Sequence, residues 1–284
     1  MAKATKRAAA PKTRANFQPR GSIIGWTLIS TALYCWWRFA LRYIIGIVPN
    51  TGIAALDFGS VFHAALEGKS KNEVREWGVE YAQHIELAFR LAKTRIEKGP
   101  PMGNATAIEK TVPILNGSMT SKPDRVERDI MRDFKSAAFF SKHDQEHWDV
   151  NPGILGELIA TQKQRAIVDV TRKPDGKTIL YEVALTPAKE RALKALVDDF
   201  WMQLGMRQTF GPSAFPRNMN NCTTRYGLCP YYDRCWGRGA TRSLYKPGFT
   251  APWWNTAPAR AAGMSDPRRI QLAQKMLEAE TWDD

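Results

Sequence analysis

Runs of hydrophobic and polar positions change period along this chain, and each change predicts an element. Residues 26–48 are apolar with arginines at positions 38 and 42, which predicts an amphipathic helix packed on a core. From Leu56 onward the pattern predicts a second helix, with Asp57 at its N-cap and His63 one turn above Gly59. Residues 74–98 predict a third, stopped by Gly99-Pro100-Pro101. Two strand-like runs follow, 109–115 and 118–126, joined by the hairpin signal Asn116-Gly117. The short polar turn 127–129 then leads to a strand holding Asp133-Phe134-Lys135. Downstream, a helix over 153–162 precedes strands at 166–172 and 178–183, separated by the turn Pro174-Asp175-Gly176. Thr186 caps a further helix, with Pro187 in its first turn, that runs to about Met206. Beyond Cys235 the chain reads as Pro-, Gly- and Trp-rich coil, with a terminal helix over 265–280. The class is α/β, built on a strand meander behind an upstream helix.

Side chains alternate along a strand, so Asp133 and Lys135 face one way while Phe134 turns into the core. Across the meander, Asp124 can lie beside Asp133, and two carboxylates can hold one divalent cation. Such a cation lowers the pKa of a bound water and polarises a phosphate oxygen, while a nearby ammonium steadies the developing charge. Read alone, Asp-x-Lys is a solvated charge pair on an exposed strand, and His63 a packed or solvated helical residue. It is their occurrence together that points to a site.

The four cysteines offer a second candidate. Cys35 stands alone near the start, whereas Cys222, Cys229 and Cys235 are spaced C-x6-C-x5-C. Four thiolates suit an iron-sulfur cluster or zinc, and spacing alone does not separate the two. A disulfide framework fits poorly in a chain of 284 residues with no secretory signal; a reducing compartment, the cytoplasm, fits better.

Gly59-x-x-x-His63, Pro123-Asp124 and Asp133-Phe134-Lys135 together resemble the RecB-type branch of the PD-(D/E)XK nuclease superfamily, over about residues 30–236. The resemblance implies a restriction-endonuclease-like core, a central mixed sheet flanked by helices, in a metal-dependent DNA exonuclease of recombination, repair or processing. By it, His63, Asp124, Asp133 and the main-chain carbonyl of Phe134 ligate Mg²⁺ or Mn²⁺, and Lys135 is the catalytic lysine. It also assigns Cys35, Cys222, Cys229 and Cys235 to a [4Fe-4S] cluster that staples the N- and C-terminal segments, with Zn²⁺ as the alternative metal. Members with such clusters include CRISPR-associated and helicase-linked nucleases, and a phage-encoded protein would act in the host-cell cytoplasm. Two departures stand out. The Gln-x-x-x-Tyr motif expected after the lysine is absent from 151–157, and the first cysteine interval is longer than the usual C-x2-C. The missing motif supports an alternative, a catalytically weak DNA-binding or assembly module on the same fold.

Charge names the partner class. The net charge of +13 favours a polyanion, with DNA that is single-stranded or carries free ends as the expected ligand and a recombination or replication protein as a further partner. Residues 1–21 contain no acid and read as a disordered basic arm, a transit peptide being the other reading. The nuclease domain then spans 22–240, and a tail spans 241–284. A membrane partner is not expected, because Arg38 and Arg42 would each cost about 2.5–3.5 kcal/mol near a bilayer centre. Four further features are weaker. Glu109 is a candidate extra acid, and the polar run 142–147 with its two histidines reads as a solvated loop. Trp253 and Trp254 stack on bases or pack on the core, while Tyr231 and Tyr232 shield the cysteines.

Overall fold

A computed structural model of the chain describes residues 25–45, 47–49, 54–108, 111–210, 214–224, 227–236 and 245–247. The basic arm, Glu109, Trp253, Trp254 and the 265–280 helix lie outside the described residues, as does most of the tail.

The elements in chain order are α1 (Trp26–Tyr34), α2 (Trp36–Phe39), a π-helical turn (Ala40–Ile45), β1 (Ile47–Pro49), α3 (Ala54–Leu66), α4 (Lys71–Arg75) and α5 (Val79–Lys98). Next come β2 (Ala105–Ile108), β3 (Val112–Ile114), β4 (Met119–Ser121), β5 (Arg125–Glu127), β6 (Met131–Ala137), α6 (Asp144–Asp149) and α7 (Pro152–Thr161). The chain continues through β7 (Arg165–Arg172), β8 (Thr178–Ala184), α8 (Pro187–Phe210), β9 (Thr223–Thr224), β10 (Gly227–Leu228), α9 (Tyr232–Trp236) and β11 (Tyr245–Pro247). The central sheet has the order β2-β5-β6-β7-β8. It is mixed, because β6 and β7 run parallel while every other neighbouring pair is antiparallel. A parallel pair needs a long crossover, and α6 with α7 supplies it.

Helices cover both faces of the sheet. On one face, Met131 of β6 and Ala166, Val168 and Val170 of β7 pack with Ile154, Leu155 and Leu158 of α7, with α8, and with the N-terminal helices. There Trp36 stacks on Phe200, ring centroids 5.6 Å apart, which fastens α2 to α8. On the other face, Phe134 meets Phe58, Val61 and Phe62 of α3 and Ile85, Ala88 and Leu91 of α5. Strand alternation thus sends Asp133 and Lys135 toward α7, and Arg132 and Phe134 toward α5.

The α5 face also buries a charge network. Arg95, Asp169, Arg132 and Glu127 are each at most 5% exposed. Arg95 Nε donates to Asp169 Oδ1 at 2.8 Å, Arg132 Nη1 to Asp169 Oδ2 at 3.1 Å, and Arg132 Nε to Glu127 Oε1 at 2.9 Å. Backbone groups complete it: Arg95 Nη1 donates to the Pro100 carbonyl, and the Gly103 amide donates to Glu127.

Several expected elements are redrawn by tertiary contacts. The expected 26–48 helix breaks at Cys35, which is extended at φ −165°, ψ 115°. Asn218 and Asn221 side chains donate to the Tyr34 carbonyl at 3.0 and 2.7 Å, satisfying the last turn from outside the helix. The expected 74–98 helix splits at Gly78, whose φ of +133° suits glycine alone, and α4 begins with a capping box between Ser70 and Glu73. The run 118–126 is two strands separated at Pro123: β4 pairs with β3 in a hairpin of its own, while β5 joins β2 and β6. Residues 144–149 form a helix rather than a loop, with His143 and His147 exposed.

Candidate functional site

At one corner of the sheet four of the expected side chains meet. Asp124 lies just before β5, and its Oδ2 accepts the Phe134 amide at 2.8 Å and stands 3.3 Å from His63 Nδ1 on α3. The Phe134 backbone thus positions Asp124. On β6, Lys135 Nζ donates to Asp133 Oδ1 at 2.6 Å. Asp133 is 1% exposed, and its Oδ2 receives no hydrogen bond. A buried carboxylate oxygen left without a donor is costly in isolation, and the Asp124 carboxylate within hydrogen-bond reach adds to that cost until a proton or a cation enters between the two acids. Gly59, one turn below His63, has open space where a Cβ would stand.

Electrostatics separate the two acids. Burial pushes Asp133 up to about 7, with the Asp124 charge adding and Lys135 opposing. Burial would raise Asp124 as well, but the hydrogen bond and charge of His63, then Lys135, then the Phe134 amide hold it well below the usual carboxylate range. His63 is lowered by burial yet ends above its ordinary value, because the Asp124 hydrogen bond and charge prevail. Burial works against the Lys135 ammonium, and the charges of Asp133, Asp124 and Glu157 overcome it and keep the lysine protonated.

That last partner is a residue absent from the expected site. Glu157 lies on α7 in the stripe Ile154, Glu157, Leu158 and Thr161, whose spacing directs it toward the sheet. Its Oε2 is closed off from solvent without a hydrogen-bond partner. Burial first, then the negative charge of Asp133, pushes its carboxyl well above the ordinary value. The signal is an acid between Ile154 and Leu158 on the inward side of a largely apolar helix.

The carboxylate donors suit a hard divalent cation. Among the described residues, no three or more His, Cys, Asp or Glu side chains stand close enough together, as placed, to hold a metal ion. The fit rests instead on the two undonated carboxylate oxygens.

The four cysteines form the second candidate group, and Cys35, Cys229 and Cys235 pack against the core shared by α7 and α8. All are free and partly exposed. The β9–β10 hairpin fills the first interval, and across it the Cys229 amide donates to the Cys222 carbonyl at 2.8 Å, so the longer spacing still leaves neighbours. Cys35 enters at the break between α1 and α2, where the Asn218 amide donates to its Sγ at 3.4 Å. Burial pushes Cys235 up to about 12, reinforced by the charges of Cys229, Cys35 and Cys222, and the Asn218 carbonyl accepts from the Cys222 Sγ at 3.7 Å. Tyr231 beside them is 2% exposed. Guanidinium groups surround the cysteines: Arg38 lies over the Tyr34 ring, and Arg217 over Trp37 and Trp236.

No protein-family model and no curated protein matches the chain. Among solved structures it is similar to one described as "Crystal structure of SSO0001", at 11% identity and a TM-score of 0.29, covering 65% of this chain and 91% of that one. Among the described residues, no helix is long and apolar enough to cross a membrane.

Proposed function

We propose that the protein is a metal-dependent DNA nuclease with a PD-(D/E)XK core, acting from DNA ends. The observation that carries this reading is Asp133, buried on β6 with one oxygen on Lys135 and the other undonated, beside Asp124 and His63. The order β2-β5-β6-β7, three antiparallel strands followed by a parallel one across a helical crossover, supports the same core. Asp124, Asp133, His63 and the Phe134 carbonyl would hold Mg²⁺ or Mn²⁺, which when bound supplies an acidified water and charge neutralisation at phosphate. Lys135, kept protonated by its carboxylate neighbours, stabilises negative charge on the scissile phosphate. His63 and the Phe134 amide orient Asp124. The net charge of +13 suits a DNA substrate.

Four thiolates from both ends of the described chain suit a [4Fe-4S] staple, and the surrounding arginines suit the negative charge of such a cluster. The second reading, a DNA-binding or assembly module that cuts weakly, is favoured by α7, which carries Glu157 and Thr161 four residues apart and no Gln-x-x-x-Tyr. The deciding experiment is to incubate anaerobically purified protein with end-labelled single- and double-stranded DNA and Mn²⁺. Stepwise shortening that is lost in Lys135→Ala supports the nuclease; binding without cleavage by the parent supports the module.

A further inference from the structure

The placement of α7 leads to one residue that the nuclease reading leaves without a role. In β6 the side chains of Met131, Asp133 and Lys135 share the face that α7 covers, as Met131 joins Ile154, Leu155 and Leu158 in one buried cluster. Glu157 stands within that helix stripe and so lies over the same strand. Two carboxylate oxygens in this small space, Asp133 Oδ2 and Glu157 Oε2, are closed off from solvent and receive no hydrogen bond, although Lys135 is beside them. Glu157 adds to the negative charge that holds the Lys135 ammonium, but an oxygen closed off there without a donor costs free energy that an apolar side chain would not. Counted as ionised and with His63 neutral, the forms in which all would act as ligands, the carboxylates of Asp124, Asp133 and Glu157 set against the Lys135 ammonium leave a formal charge of −2, which one divalent cation neutralises.

We propose that Glu157 is a ligand to the divalent cation, completing with Asp133 and Asp124 a three-carboxylate seat at which α7 closes over β6. This rests on the nuclease reading for the site's position and extends it to the helix. The consequence is that this helix contributes charge to the metal rather than an amide to the substrate. Cation binding then ties α7 to the sheet.

The test is Mn²⁺ binding by the full chain after EDTA stripping, followed by electron paramagnetic resonance of the free ion and by calorimetry, without DNA. Mn²⁺ prefers oxygen donors, so the cysteines compete little. Glu157→Gln and Glu157→Ala are measured in parallel, each first checked for folding by thermal denaturation in EDTA. The expected result is at least about tenfold weaker Mn²⁺ binding in both, a loss of the order that removing a metal-supporting group brings, with a melting temperature in EDTA equal to the parent's or higher. Mn²⁺ should also raise the parent's melting temperature more than that of either variant. Either variant, folded and binding Mn²⁺ as tightly as the parent, overturns the inference. If Asp133→Asn abolishes binding while the Glu157 variants keep it, the inference alone fails; if the parent binds no Mn²⁺, the nuclease reading fails with it.

Discussion

Arg132 and Asp133 are adjacent on β6, yet they face two buried charged regions of opposite character. Toward α5, two arginines and two acids are paired with one another and with backbone groups until the carboxylate oxygens are matched. Toward α7, three acids surround one lysine, and two oxygens are left without donors. The α5 network is almost wholly removed from water, whereas on the α7 side Asp133 is buried and Lys135, Asp124 and Glu157 keep some exposure; the regions differ in completeness as well as in burial. A complete network fixes packing between a helix and a sheet, whereas an incomplete one retains free energy that a proton or a bound cation can recover.

The comparison is broken most forcefully by removing its central acids. Asp169→Asn leaves Arg95 and Arg132 buried without their shared counter-charge and should cost about 3–5 kcal/mol in a urea titration. Asp133→Asn on the other face should leave stability in EDTA unchanged or raised. Equal losses would mean that the two faces are alike.

Lys135→Ala should lower the cleavage rate by roughly 10²–10³-fold, as loss of a charge-stabilising donor does. DNA affinity should stay near the parent's, because the basic surface is retained. A variant that cuts at the parental rate would remove the open face from the chemistry.

The cysteine group provides a third contrast, held together by a proposed ligand rather than by ion pairs. Anaerobically purified parent should be brown, with iron and acid-labile sulfide in about equal amounts. Serine in place of Cys35, Cys222, Cys229 or Cys235 should bleach it and lower its melting temperature. Stoichiometric zinc without sulfide would select the alternative metal.

Opposite pH dependences sharpen the comparison most finely. Burial alone would raise Glu127, but Arg132 lowers it below its ordinary value. Its contribution is therefore present above the unfolded value of about 4.3 and is lost as the pH falls through the folded one. Asp133 is raised to about 7, so its contribution is present below the unfolded value of about 3.9 and is lost as the pH rises toward 7. In EDTA, Glu127→Gln should flatten the acid side of the stability profile and Asp133→Asn the side from about pH 4 to 7. Denaturation midpoints measured across that range would reveal a profile unaffected by either change.

The sequence by itself determined the alternation that puts Asp133 and Lys135 on one face and Phe134 on the other, because strand period is a local property. It also determined the start of α8 at Thr186-Pro187, where the Thr186 hydroxyl accepts the Lys189 amide at 3.3 Å, and the turn between β7 and β8, since capping and turn chemistry act within a few residues. Tertiary structure decided the rest. The end of α1 at Tyr34 depends on asparagines more than 180 residues away, and the division of 118–126 depends on which strand each half meets. How an acid is paired is likewise a property of neighbours distant in sequence: Asp169 has Arg95 and Arg132, while Asp133 and Glu157, on different elements, share the charge of Lys135. Local pattern sets the direction in which a side chain points, but the charges it meets are set by long-range packing.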